Sequence, residues 1–218
     1  MHLFPVILLT KSQAKLRADD DAAASSDATV GPLLVEMGTL YDQRLGKQSR
    51  ALVHYQRALQ VFQQTKDYGQ IGSTLCLIGS VHVRKGDGDK ALKCYRDSLV
   101  MRRLSSGGRG ETPEIAETLH SIGNCEARDG RFEDCIESYN SALEMKRKVF
   151  GDADHVSIAK TEHCVGLALL QLGQYDEALT SFDSSLKARR SQLGQDHLDV
   201  AFSLHRYIFR IGRHRHFQ

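Results

Sequence analysis

Four glycines set the register of this chain. Gly79, Gly123 and Gly166 each follow an aliphatic residue (Ile78, Ile122, Val165), and a second glycine comes seven residues later, at Gly86, Gly130 and Gly173. Twelve residues after the leading glycine stands a small residue (Ala91, Cys135, Ala178), four further on an aromatic (Tyr95, Tyr139, Phe182), and three beyond that a small residue again (Ser98, Ala142, Ser185). A weaker copy runs Gly38, Gly46, Ala51, Tyr55, Ala58, with one extra residue in its turn. The leading glycines lie 41, 44 and 43 residues apart, a period that spans one supersecondary unit. In the third unit Ile115, Leu119 and Ile122 form one helical stripe, and after Gly130 a second stripe runs through Phe132, Ile136, Tyr139, Leu143 and Met145. Two amphipathic helices joined by a glycine turn make an αα-hairpin, which cannot bury both apolar faces by itself. Stacking on copies of itself solves that problem. The fold class expected is therefore all-α: a right-handed α-solenoid of four helical hairpins plus a partial fifth.

Composition narrows the class without naming a function. The chain has 218 residues, with 29 basic against 27 acidic side chains and a formal net charge of +2. That balance gives no global pull toward nucleic acid or an anionic membrane. Only three prolines are present, as suits helices separated by short turns. The five cysteines, Cys76, Cys94, Cys125, Cys135 and Cys164, are odd in number and lack CxxC spacing. They read as free, buried thiols of an intracellular, cytoplasmic protein. A Cys125–Cys135 bridge across the helix turn is the alternative in an oxidising compartment.

Residues 1–30 stand outside the repeat. The run Leu3–Leu9 is too short to span a membrane and lacks the flanks of a secretory leader, and 18–29 (ADDDAAASSDAT) is expected to be disordered. The array occupies 31–205, in units of about 31–66, 67–110, 111–153 and 154–195 and a partial fifth at 196–212, with a divergent basic tail over 206–218. Thr112 before Pro113 predicts a capped start for unit three, and Asp154 a capping acid for unit four. Gly88 stands where Phe132 and Tyr175 stand in the next two units, which predicts a looser turn in unit two. SSGGRG (105–110) is read as a linker, because no GK[ST] follows it and no strand precedes it.

Enzyme constellations are sparse. TEHC (161–164) is not HExxH, and GDGD (86–89) lacks the rest of a calcium loop. Neither a catalytic residue, a metal site nor a cofactor is expected. Basic residues close each second helix at Arg102-Arg103, Lys146-Arg147-Lys148 and Arg189-Arg190. There they complement the helix dipole. A strip for an acidic partner or RNA is the other reading, and it lacks the interleaved aromatics that RNA would use.

The spacing apolar-Gly, Gly, then Ala-x3-Phe/Tyr-x2-Ala resembles the tetratricopeptide repeat. The long repeat, with its KRKVFGDADHVSIA connection (146–159) and a second instance at 186–201, is similar to the light chain of kinesin. Val156 and Leu198 stand where those relatives commonly have proline. The residues before the repeats carry no heptads of the kind that would join a motor, so the resemblance implies the binding module alone. It also implies that the first helix of each hairpin lines a concave groove, where residues four apart face one ligand. That row is Cys76, Ser80 and Arg84 in unit two, His120, Asn124 and Arg128 in unit three, and His163, Leu167 and Gln171 in unit four, with Glu117 and Lys160 one turn earlier. An Asn can hydrogen-bond an extended peptide backbone and an Arg fork can hold a carboxylate; simple solvation of Arg84 and Arg128 is the bland alternative. Leu167 and Gln171 could instead begin an apolar pocket.

The function expected is non-catalytic: an adaptor or scaffold that binds an extended or short helical segment of a protein partner, acidic in one reading, with no nucleic acid and no membrane span. A regulatory segment of a larger protein, with an NTPase or kinase domain elsewhere, is the competing class. The sequence leaves the oligomeric state open.

Overall fold

The computed structural model describes residues 29–108, 110–151 and 155–194. Among them are eight α-helices and no strands: α1 (Val30–Thr39), α2 (Gln48–Gln64), α3 (Tyr68–Lys85), α4 (Gly88–Ser105), α5 (Pro113–Arg128), α6 (Phe132–Phe150), α7 (Val156–Gln171) and α8 (Tyr175–Leu193). Each odd-numbered helix pairs with the even one that follows it, and each pair packs on the next, as an all-α helical repeat solenoid requires. The expected disorder before residue 29, the partial fifth unit and the basic tail lie outside the described residues. So does Asp154.

Local chemistry sets the helix ends. Thr112 accepts from the Ile115 amide with Pro113 at the first helical position, and Asp67 accepts from the Gln70 amide. α7 begins not on an acid but on His155, whose Nδ1 accepts from the Ser157 amide. Gly86, Gly130 and Gly173 all adopt left-handed backbone, at φ 81°, 76° and 75°, and close their first helices with the same pair of bonds. In unit three these run from Arg131 N to Glu126 O and from Gly130 N to Ala127 O; in unit two from Asp87 N to His82 O and from Gly86 N to Val83 O. The turn at Gly88 is therefore no looser than the others. Where the other units place an aromatic, the Asp129 carboxylate comes within 2.9 Å of where a Cβ on Gly88 would lie.

The extra residue of unit one has a physical home as well. It is taken up as one π-helical turn, Leu40–Arg44, in which the Leu45 amide reaches back to the Leu40 carbonyl.

The leading glycines make the hairpins close. A Cβ built on Gly123 would lie 2.7 Å from the Tyr139 ring, and Gly38, Gly79 and Gly166 meet Tyr55, Tyr95 and Phe182 in the same way. Each aromatic thus lies against glycine backbone and buries nearly all of its surface. Small residues one helical turn beyond the aromatics complete the contact. Where that residue is serine it is fully tied: Ser98 Oγ donates to the Gly72 carbonyl and Ser185 Oγ to the Ala159 carbonyl, both at 2.7 Å. Around these crossings sit the core clusters, for instance Tyr139, Leu143, Ile158, Val165 and Phe182 between units three and four.

Candidate functional site

Side chains tie the first helices of successive units together one repeat apart. Asp42 and Arg84 form an ion pair across 42 residues. Cys76 Sγ lies 3.6 Å from Thr118 Oγ1, also 42 residues on. Arg128 Nη1 donates to the Val83 carbonyl at 3.0 Å across 45 residues. Ser157 Oγ donates to Glu117 Oε1 at 2.8 Å, and His120 Nδ1 meets Thr161 Oγ1 at 3.1 Å. α3, α5, α7 and the π-helical turn thereby present one polar row running along the array.

The densest part of that row is built around Lys146, which reaches in from α6 and is fully buried. Its ammonium has three donors, and three acceptors converge on it: Glu117 Oε1 at 2.8 Å, Thr161 Oγ1 at 3.0 Å and the Ser157 carbonyl at 3.2 Å. Thr161 in turn donates its hydroxyl proton to the Ser157 carbonyl. Its oxygen is then an acceptor toward His120, so Nδ1 carries the imidazole proton. His120 Nε2 is left buried and without a partner. Protonating it would place a second cation beside Lys146 inside the protein. Burial first, and then the charges of Lys146 and Lys160, push the His120 pKa down from 6.5 to about 4. Burial alone would raise the Glu117 carboxyl, but hydrogen bonds from Lys146 and Ser157 outweigh it and hold that group below the ordinary glutamate value.

Both shifts make the junction of units three and four acid-labile. Between pH 6.5 and about 4 the unfolded chain binds a proton at His120 that the folded chain refuses, so stability falls as pH falls through that window. At roughly 1.4 kcal/mol per pH unit the effect is worth about 3 kcal/mol. Urea denaturation at a series of pH values should show this slope in the wild type and a much flatter one in His120→Phe. An equal slope in both would place the acid sensitivity elsewhere.

The expected groove residues separate into two sets. Asn124, Arg128, Arg84, Lys160, Gln171 and Glu117 are exposed. Asn124 Oδ1 accepts from the Tyr139 hydroxyl at 2.7 Å, which leaves its NH2 group free to point outward as a donor. Arg84 carries an acidic partner, whereas Arg128 is held by a neutral carbonyl and keeps its charge available. Neither is merely solvated. The other set turns inward. His120 is buried, and Cys76 faces Ser98 at 3.0 Å between its own two helices. Ser80 donates to the Leu77 carbonyl of its own helix. His163 tilts against the Phe182 ring, and Leu167 packs on the unit-four core rather than opening a pocket of its own.

The basic helix ends also need correcting. Lys146 is interior, and Arg102, one register equivalent, lies half-buried over Gly72. Arg147 and Lys148 face outward and are paired with Glu162, Glu111 and Glu144. A signal was available: Arg102, Lys146 and Arg189 each stand twenty-three residues after a leading glycine, and residues in one register share one environment. Thr161 carried the same kind of mark, since Thr74, Thr118 and Thr161 each stand five residues before a leading glycine and all three are buried; Asp42 and Ser157 carried none.

All five cysteines are free, and burial pushes the thiols of Cys94, Cys125 and Cys135 up to about 11. Among the described residues no group of three or more His, Cys, Asp and Glu could hold a metal ion, and no helix is long and apolar enough to cross a membrane.

Family models of the tetratricopeptide repeat match residues 29–103 and 157–207, and a second such model matches 116–149. No curated protein sequence matches the chain. Among solved structures, BtubC (BKLC) from P. vanneervenii superposes with a TM-score of 0.70 at 16% identity, covering 84% of this chain and 72% of that one. A kinesin light chain-like protein from Podosopora anserina, built of nearly identical TPR-like repeats, gives 0.69 at 15% identity over 85% and 88%. The apo form of RapI gives 0.67 at 17% identity over 83% and 61%. At such identities the likeness is one of fold, and repeats of this fold are typically non-catalytic surfaces for protein partners. With its glycine-on-aromatic hairpins, its stacked pairs and matches over most of its length, the chain belongs to the tetratricopeptide repeat family, a repeat scaffold for protein interaction, and resembles kinesin light chain.

Proposed function

We propose that the polar row on the first helices binds an extended or short helical segment of a partner protein, as a kinesin-light-chain-like adaptor does. One observation carries this reading: the row is braced from behind by bonds between units, while Asn124, Arg128 and Lys160 keep donors and positive charge at the surface. Bracing cuts the ordering cost of binding, because the donors are already placed. The outward NH2 of Asn124 suits a backbone carbonyl of the segment. Arg128 and Lys160 suit a carboxylate beside it, so the segment favoured is an acidic one. Glu117 does not oppose this, since Lys146 neutralises it from within.

A peptide-array screen of the wild type beside Asn124→Ala/Arg128→Ala tests the reading. Peptides with a carboxylate should be retained by the wild type and weakened at least tenfold by the double variant, as expected for losing charge-assisted hydrogen bonds of about 1.5–3 kcal/mol. Equal binding by both proteins would move the site off this row.

A further inference from the structure

Among the described residues no unit precedes α1, and the outer face of that helix is apolar. Leu33, Met37 and Leu40 are 57%, 44% and 56% exposed. They stand five residues before, one before and two after the leading glycine Gly38. In every later unit those positions are buried. Threonine takes the place of Leu33; Ile78, Ile122 and Val165 take that of Met37; Val81, Cys125 and Ala168 take that of Leu40. What covers them is the second helix of the unit before. Ile78 and Val81 pack with Ala51 and Tyr55 of α2, and Ile122 and Cys125 with Ala91 and Tyr95 of α4. α1 thus presents the surface that receives a preceding helix, with leucine where the later units have threonine. An end unit that faces water needs a polar outer face, and Glu36 is the one charged side chain of α1. Such a face needs a cover.

We propose that this face is the docking site of the chain's own apolar run, Leu3–Leu9, which covers Leu33, Met37 and Leu40 as a preceding second helix covers their counterparts. The run has seven residues and no polar side chain. Left in water, run and face each expose apolar surface, and packing one on the other removes both from solvent. The tether favours this pairing over any other. Residues 10–28 join the run to Thr29, the residue before α1. A random coil of that length spans about 24 Å, against about 15 Å for a helix of ten residues, so the run reaches any point on the face. A short tether also gives it an effective concentration in the millimolar range. A second copy of the chain competes only at its own concentration.

Methionine methyl signals test this in the whole chain, which has four methionines, Met1, Met37, Met101 and Met145. The Met37 methyl should show nuclear Overhauser contacts to the methyl groups of Val6, Ile7 or Leu8. Val6→Asp/Leu8→Asp should abolish them while changing no residue of the array. In that variant the α1 amides should exchange with solvent at least tenfold faster, because the end helix opens more readily without its cover. Leu40→Asp should abolish the contacts too, whereas Leu45→Asp should keep them. Leu45 is also 56% exposed, but it stands on the turn, where Lys85 and Asp129 are exposed in later units.

Mixing copies labelled at methionine with copies labelled at valine, isoleucine and leucine identifies the occupant. Contacts within one molecule support the run. Contacts between differently labelled copies would give the face to a second chain and overturn the proposal. So would a Met37 methyl without contacts to the run, or α1 exchange unchanged by Val6→Asp/Leu8→Asp.

Discussion

Gly123→Ala should lower stability by about 1–3 kcal/mol, and Gly123→Val by more, although each replaces a poor helix former with a better one. In an exposed helix the alanine would stabilise by roughly 1 kcal/mol. Here its Cβ would sit 2.7 Å from both Cδ1 and Cε1 of Tyr139. The ring has nowhere to go. It is 2% exposed, the fully buried Cys135 and Ala142 lie one turn either side of it on α6, and its hydroxyl is fastened to Asn124. The two helices must separate instead, which opens the contact on which the hairpin depends. Urea unfolding followed by circular dichroism measures the loss. Gly123→Ala combined with Tyr139→Leu should cost less than the two single changes added together, with a coupling of about 0.5–3 kcal/mol, because the smaller side chain makes room for the new methyl. Additive losses would mean that glycine is there for some reason other than the ring.

Lys146→Met is expected to destabilise the array by about 3 kcal/mol. Removing one partner of a buried ion pair costs about 3–5 kcal/mol, and Glu117 is half exposed, so water recovers part of that. Methionine fills the volume but takes one donor each from Thr161 Oγ1 and the Ser157 carbonyl, which keep only their bonds to His120 and to the Thr161 hydroxyl. The outward Lys148→Met is the control and should stay within about 0.5 kcal/mol, as exposed pairs do. A second readout distinguishes loss of charge from loss of packing. Lys146 is one of the two cations that depress His120, so in Lys146→Met the imidazole should titrate closer to its ordinary value, visible by NMR. A His120 titration unchanged from wild type, or equal losses for Lys146→Met and Lys148→Met, would remove Lys146 from the centre of the network.

Several features of the fold could be read directly from the residues because they are local or strictly periodic. The 3.6-residue stripes identify helices, Thr112-Pro113 and the turn glycines end them, and a glycine in step with an aromatic places one against the other in every unit. Identical units then have to stack, since a lone hairpin leaves an apolar face in water. The expected row was legible only in part: Asn124, Arg128 and Lys160 do lie at the surface, whereas His120, Ser80, His163 and Leu167 turn inward.

What the residues could not disclose is which partner meets each side chain across a unit boundary. Register sets Lys146 beside Arg102 and Arg189, but only the approach of α5 and α7 brings three acceptors within 3.2 Å of it and takes it out of water. Asp42 looks like a loop acid until the π-helical turn swings it to Arg84. Gly88 looks like slack in a turn, yet the turn holds and the Asp129 carboxylate closes on it. Contacts between the first helices of neighbouring units join residues 40–45 apart, where a small rotation of one hairpin on the next decides which side chains meet. Periodicity within a helix fixes the face a residue occupies. The packing of neighbouring units decides whether that face meets water, a charge or an apolar neighbour.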